Sequence, residues 1–247
     1  MTTLSVIAQH AKKIQPILDS FKKTTDFIEK FKRDNNQIAT WYEDVIRGYL
    51  AQRGWFVAGS LYTNQFPALK NAIEQNAESE IEDFMIRHVR AISDHAASEA
   101  SAKWPHRQVI LSDAFDAHSK ELFTLSVPVM LAQADGIALE ILGAFLFTDH
   151  SGRVADKAVE IIDVKIKHRP LAKSFLGLLI DASGLRLSTK ERDQRKNAGF
   201  PVSPLNRHGV LHGIDCDYPT ESNSLRAIAL IHYLNWVHEI TLKKNVS

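Results

Sequence analysis

Apolar side chains return every three, four or seven residues along most of this chain, the period of an α-helix with one face turned inward. Leu4, Ile7, Ala11, Ile14, Leu18, Phe21, Ile28 and Phe31 trace a first stripe, with an interruption expected near Pro16. Ile38, Trp41, Tyr42, Val45, Ile46, Tyr49 and Leu50 carry the pattern to Gly54. Residues 54–62, GWFVAGSLY, fit either extended chain or a short helix. From Pro67 to Trp104 the sequence reads as helix with a break near the middle. Glu74, Glu78, Glu80, Glu82 and Asp83 form what reads as a solvated acidic face.

Pro105 ends that stretch, and a second long helical pattern runs from Gln108 to Phe147. Pro128 is expected to kink or divide it, because proline lacks a backbone donor and clashes with the preceding turn. Asp149, Ser151 and Gly152 signal a turn. Val154 to Ile166 has strand-like β-branched content, but an isolated strand would have no partner, which favours helix. Leu171 to Ile180 is an apolar helix stopped by Ser183-Gly184. Arg186 to Pro201 reads as a polar loop, Ser203-Pro204 as the start of a short helix, and Gly213 as its end. A last helix begins near Thr220. The prediction is an all-α fold, a helical bundle over residues 105–247 with an N-terminal helical region over 1–104, possible as one continuous domain.

At 247 residues a chain buries about 70–75% of its unfolded surface, enough for a core without disulfides or structural metal. Cys216 is the only cysteine, so no intramolecular disulfide forms, as expected in a reducing cytosol. The opening MTTLSVIAQHAKK lacks the basic and apolar regions of a secretory signal, and a cytoplasmic location is expected. Leu122 to Phe147 is apolar enough to suggest a membrane span, but Gln133, Asp135 and Glu140 interrupt it. An Asp costs about 2.5–3.5 kcal/mol at a bilayer centre, so a buried core helix is expected, and no membrane. Because an unpaired buried charge is costly, Asp135 and Glu140 are expected to pair with Arg207 or Arg226.

Thirty Lys and Arg stand against 29 Asp and Glu, a net charge of +1. That balance argues against a broad duplex-binding surface. The distribution is uneven, however. Asp163 to Arg207 holds ten basic and four acidic residues, a net +6, and the rest holds 20 and 25, a net −5. The basic part leads into the most informative segment, Asn206-Arg207-His208-Gly209-Val210-Leu211-His212-Gly213.

Arginine is permanently charged and presents a fork of donors suited to phosphate. Histidine exchanges protons near neutral pH. Together they can cleave a phosphodiester without metal, one neutralising developing charge and the other moving protons. On an ideal helix residues five apart lie about 140° apart, so one copy makes a splayed site and two copies across a dimer axis a denser one. The alternatives are a surface arginine with packed histidines, or a metal site on His208 and His212 extended by Asp215, Cys216 and Asp217. Gly209 stands where a zinc-protease motif would carry glutamate. No phosphate-loop, nucleophile-elbow or dinucleotide motif is present.

RHGVLHG resembles the signature of the HEPN superfamily, an arginine, a polar residue, then three to five residues and a histidine, matched by Arg207, His208 and His212. TESNSLRAIALIHYL and LAQADGIALEILGAFLF resemble the helices that flank that motif, so the resemblance covers roughly residues 106–242. It implies an α-helical homodimer and a metal-independent ribonuclease with no cofactor, of the kind found in toxin and anti-phage systems. It assigns His212 to proton transfer, Arg207 to the scissile phosphate, and His208 to orienting the site or touching RNA. Asn206, Arg195 and Lys196 are expected RNA contacts, and an antitoxin or regulatory protein is an expected partner. The other reading is a non-catalytic helical module that binds RNA or protein.

Overall fold

The computed structural model describes residues 3–57, 60–61, 63–147, 153–180 and 184–242, with backbone alone for 3–21 and 63. Helix follows helix along all of them, with no strand among the described residues. The protein is all-α. Helix α1 (Thr3–Trp41) runs unbroken through Pro16 and continues by a π-helical turn, Tyr42–Ile46, into α2 (Arg47–Gln52). Trp55, Phe56 and Val57 then leave the helix but remain buried; the rest of the ambiguous 54–62 segment lies partly outside the described residues. The expected break after Pro67 separates α3 (Phe66–Glu74) from α4 (Glu78–Lys103), with Asn76 at the left-handed φ of 54°.

The next break is not at Pro128. Helix α5 (Gln108–Ser119) ends at Glu121, which takes φ 59°, while the Leu122 N–H donates to the Ala117 carbonyl at 2.8 Å. This is the left-handed helix stop usually built on glycine. Pro128 instead sits inside α6 (Phe123–Leu142). The proline leaves the carbonyl four residues back, that of Thr124, without its usual partner. The Tyr218 hydroxyl donates to that carbonyl at 3.1 Å, so the helix continues with the missing bond replaced from outside.

The turn signals at 149–152 lie outside the described residues. Helices α7 (Arg153–Lys165) and α8 (Pro170–Ile180) follow as expected. The expected polar loop is a helix, α9 (Thr189–Asn197). Ser188 accepts from the Glu191 N–H at 3.3 Å and the Glu191 carboxylate accepts from the Ser188 N–H at 2.9 Å. That reciprocal capping starts a helix with no apolar stripe at all. Helix α10 (Arg207–Leu211) starts at Asn206 rather than at Ser203-Pro204, and Gly213 follows it at φ 69°.

The last helix, α11 (Glu221–Leu242), is buried around nearly its whole circumference, the pattern of a core helix rather than a surface one. It packs on α4 and α6, α6 packs on α5, and α8 packs on α1 and α7. One apolar core runs from Ile38 to Ile240 without a gap at residues 104–105. Helix α6 is long and apolar enough by length and composition to cross a membrane; here it lies against α5 and α11.

Candidate active site

Asn206 sets the position of α10. Its backbone is extended, and its Oδ1 accepts from the Gly209 N–H at 2.8 Å, capping the helix start. Its Nδ2 donates to the Leu187 carbonyl at 2.8 Å and reaches the Gly184 carbonyl at 3.4 Å. Asn206 is only 1% exposed. Its amide, expected to contact RNA, is occupied on both sides by backbone, and it fixes where Arg207 begins.

Arg207 follows the cap and is half-buried, packed with its guanidinium 5.8 Å from the Phe147 ring centre. Its Nη2 stands 3.7 Å from Asp135 Oδ2 on α6, and the other Asp135 oxygen accepts the Phe147 N–H at 3.1 Å. Asp135 is buried, and its expected partner among the arginines is found. The Arg207 Nε is shielded from solvent and has no hydrogen-bond partner among the described residues. A buried donor without an acceptor costs about 1–3 kcal/mol, which sets this guanidinium apart from the other arginines among the described residues.

His208 and His212 stand on the same short helix with ring centres 4.4 Å apart. His208 is half-buried, and His212, at the helix end, is exposed. Beneath them the chain doubles back: the Ile214 and Asp215 N–H groups both donate to the Gly209 carbonyl, at 2.8 and 3.0 Å. A Cβ on Gly209 would lie 2.5 Å from Asp215 Cγ, so a larger residue there would displace the Asp215 carboxylate. Asp215 pairs with Arg192 of α9. Arg192 carries no signal of its own in the sequence, where it lies in an apparent loop; the Ser188 and Glu191 cap is the signal that exposes it.

That ion pair ties α9 to the motif. Arg195, half-buried, and Lys196, exposed, occupy the last turn of the same helix. The metal alternative gains no third ligand. Asp215 is engaged by Arg192, Cys216 and Asp217 are exposed, and no group of three or more His, Cys, Asp or Glu side chains among the described residues is placed to hold an ion.

The remaining candidates have structural partners. Glu140 pairs with Arg107 and His106, not with Arg207 or Arg226. Arg226 is paired with Glu82, so Glu82 turns inward from the expected acidic face. His118 Nδ1 meets Ser224 Oγ at 2.8 Å, and His232 Nδ1 meets Glu99 at 3.0 Å. Compared with models of protein families, with curated proteins and with solved structures, the chain has no match.

Proposed function

We propose that this protein is a HEPN-type, metal-independent endoribonuclease that works in the cytoplasm as a homodimer, under the control of an antitoxin or other regulatory protein. One observation carries the reading: on a single five-residue helix, a guanidinium steadied by Asp135, its Nε without an acceptor among the described residues, stands beside two imidazoles 4.4 Å apart. A scissile phosphate meets the part of this side chain that solvent reaches. Arg207 binds it and neutralises the added charge as the phosphorus becomes five-coordinate.

An imidazole at His212 takes the proton of the ribose 2′-hydroxyl as that oxygen bonds to phosphorus. The bond from phosphorus to the 5′-oxygen breaks, and the second subunit's copy of the same group returns a proton to the leaving oxygen. The products are a 2′,3′-cyclic phosphate and a 5′-hydroxyl, and no net proton is consumed. His208 orients this pair.

The test is incubation of purified protein with tRNA, rRNA and mRNA in EDTA, beside Arg207→Ala and His212→Ala. Cleavage by the wild type, with 2′,3′-cyclic ends and loss of at least a hundredfold in either variant, is expected, since general acid–base catalysis contributes roughly 10²–10⁴-fold. Equal cleavage by wild type and variants rejects the proposal, and cleavage abolished by EDTA points to a metal instead.

A further inference from the structure

We propose that the cavity between α1 and the turn joining α7 to α8 is a binding site for single-stranded RNA, with an unpaired base against Phe31 and phosphates on Lys32, His168 and Arg169. The cavity holds about 500 Å³ and is bounded by these four residues, by Asn35 and Asn36, and by the first turn of α8. That volume falls within the roughly 300–1,000 Å³ of clefts that enclose small ligands. The identity of the polymer as RNA rests on the ribonuclease reading; the chemistry of the cavity stands apart from it.

Three features select this occupant. Phe31 is 57% exposed and stacked beside Phe27, ring centres 6.5 Å apart. The fold leaves this ring in solvent, and a stacked base would bury it. Next, no carboxylate lines the cavity, and Lys32, His168 and Arg169 have no ion pair among the described residues. Residues 163–173 add Lys165, Lys167 and Lys173 against a single acid, Asp163. Finally, the Asn35 and Asn36 amides offer both donors and acceptors, the equipment for reading a base edge. An aromatic face takes a base only after it has left its stack, so the site fits a single strand rather than a duplex.

Helix α8 forms one wall of the cavity. Its 11 residues span about 16 Å, with the cavity at its first turn and the Arg186 Nη1 donating to the Leu179 carbonyl near its end at 3.2 Å.

Binding is measured by fluorescence anisotropy on the full chain carrying Arg207→Ala and His212→Ala, with a short labelled oligouridylate. The same strand annealed to its complement, polyglutamate, and phosphatidylserine vesicles serve as competitors. In that background Phe31→Ala is expected to weaken binding at least about fivefold, the smallest loss typical of one base stack, while Phe31→Tyr restores it. Lys32→Ala with Arg169→Ala is expected to lower the slope of log K against log salt by about 0.7 for each phosphate that no longer meets a cation. All three side chains are exposed, and circular dichroism verifies that each variant folds.

Unchanged affinity in Phe31→Ala, or displacement by polyglutamate or vesicles at lower concentration than by single-stranded RNA, overturns the assignment. Wild-type cleavage with the same KM in Phe31→Ala rejects the cavity and leaves the nuclease standing. Phe31-dependent binding by a protein that cleaves nothing rejects the nuclease and keeps the cavity.

Discussion

Asp135 Oδ2 stands 3.7 Å from Arg207 Nη2, and through that pair the core helix α6 aims the arginine of α10. The other oxygen of Asp135 holds the Phe147 N–H, so the carboxylate cannot swing away without releasing the segment that follows α6. Asp135→Asn keeps an acceptor for Phe147 but removes the charge. It is expected to lower kcat for RNA cleavage about tenfold or more with KM little changed, because the arginine is misaimed rather than absent. Asp135→Ala also leaves the Phe147 N–H unpaired and is expected to cost about 1–3 kcal/mol in urea unfolding. Equal kcat in wild type and Asp135→Asn removes Asp135 from the positioning of Arg207.

The parts legible in the sequence are those whose signal is local. The 3.6-residue period marks α4, α5, α6, α8 and α11, and Asn206 to His212 are neighbours in the chain, so the motif reads directly. What escapes depends on contacts between distant segments or on turns made without glycine. Glu121 in a left-handed conformation looks like any helix former, so the break before α6 is expected at Pro128 instead. Tyr218, far along the chain, allows that proline to stay inside a helix. Helix α9 has no buried residue, hence no period to find, and only its Ser188 and Glu191 cap announces it. With α9 goes Arg192, whose bond to Asp215 is tertiary.

A second charge pair, a buried Arg226 with a half-buried Glu82, holds α4 to α11. Arg226, 2% exposed, donates to both Glu82 oxygens at 2.7 Å, its Nε donates to the Arg53 carbonyl at 2.9 Å, and its guanidinium lies 4.2 Å from the Trp55 ring centre. Burial pushes the Glu82 carboxyl up, but the Arg226 charge and bonds from Ser222 and Trp55 outweigh it and hold the group below its ordinary range. Glu82→Ala strands the guanidinium and is expected to cost about 3 kcal/mol in urea unfolding. Replacing both partners, Glu82→Leu with Arg226→Met, is expected to recover most of that loss. A double variant as unstable as the single would show that the pair contributes more than the removal of an orphaned charge.

Stability is expected to fall as solutions are acidified from neutral, well before the carboxylates protonate. His88 is 9% exposed, lies parallel to the Phe84 ring and within 3.0 Å of Ser60 Oγ. Burial, aided by the charge on His232, lowers its pKa to about 4 from 6.5. The unfolded chain therefore binds this proton first, and stability is lost as pH drops through 6.5 toward 4, by up to about 3 kcal/mol. Burial moves His118 and His238 in the same direction. Glu82 and Glu99, held below 4.5 when folded, lose their contribution only under more acid conditions, so the histidines dominate between about pH 7.5 and pH 5. Urea midpoints at those two values are expected to differ less in His88→Gln than in the wild type; an equal difference assigns the pH dependence elsewhere.

Gly209 offers the sharpest test of how α10 is seated. Any Cβ there drives into the Asp215 carboxylate, which is itself fastened to Arg192. Gly209→Ala is expected to cost about 1–3 kcal/mol, the usual penalty for overpacking, and to shift α10 away from Asp135, with RNA cleavage falling at least tenfold. Shortening the obstructing side chain relieves the clash, so Asp215→Gly in the same chain should restore most of the stability. Cleavage should recover only in part, because Arg192 and with it α9 are then untethered. If Gly209→Ala is as stable and as active as the wild type, the loop at Asp215 can yield, and the close approach of Gly209 to Asp215 does not set the position of Arg207.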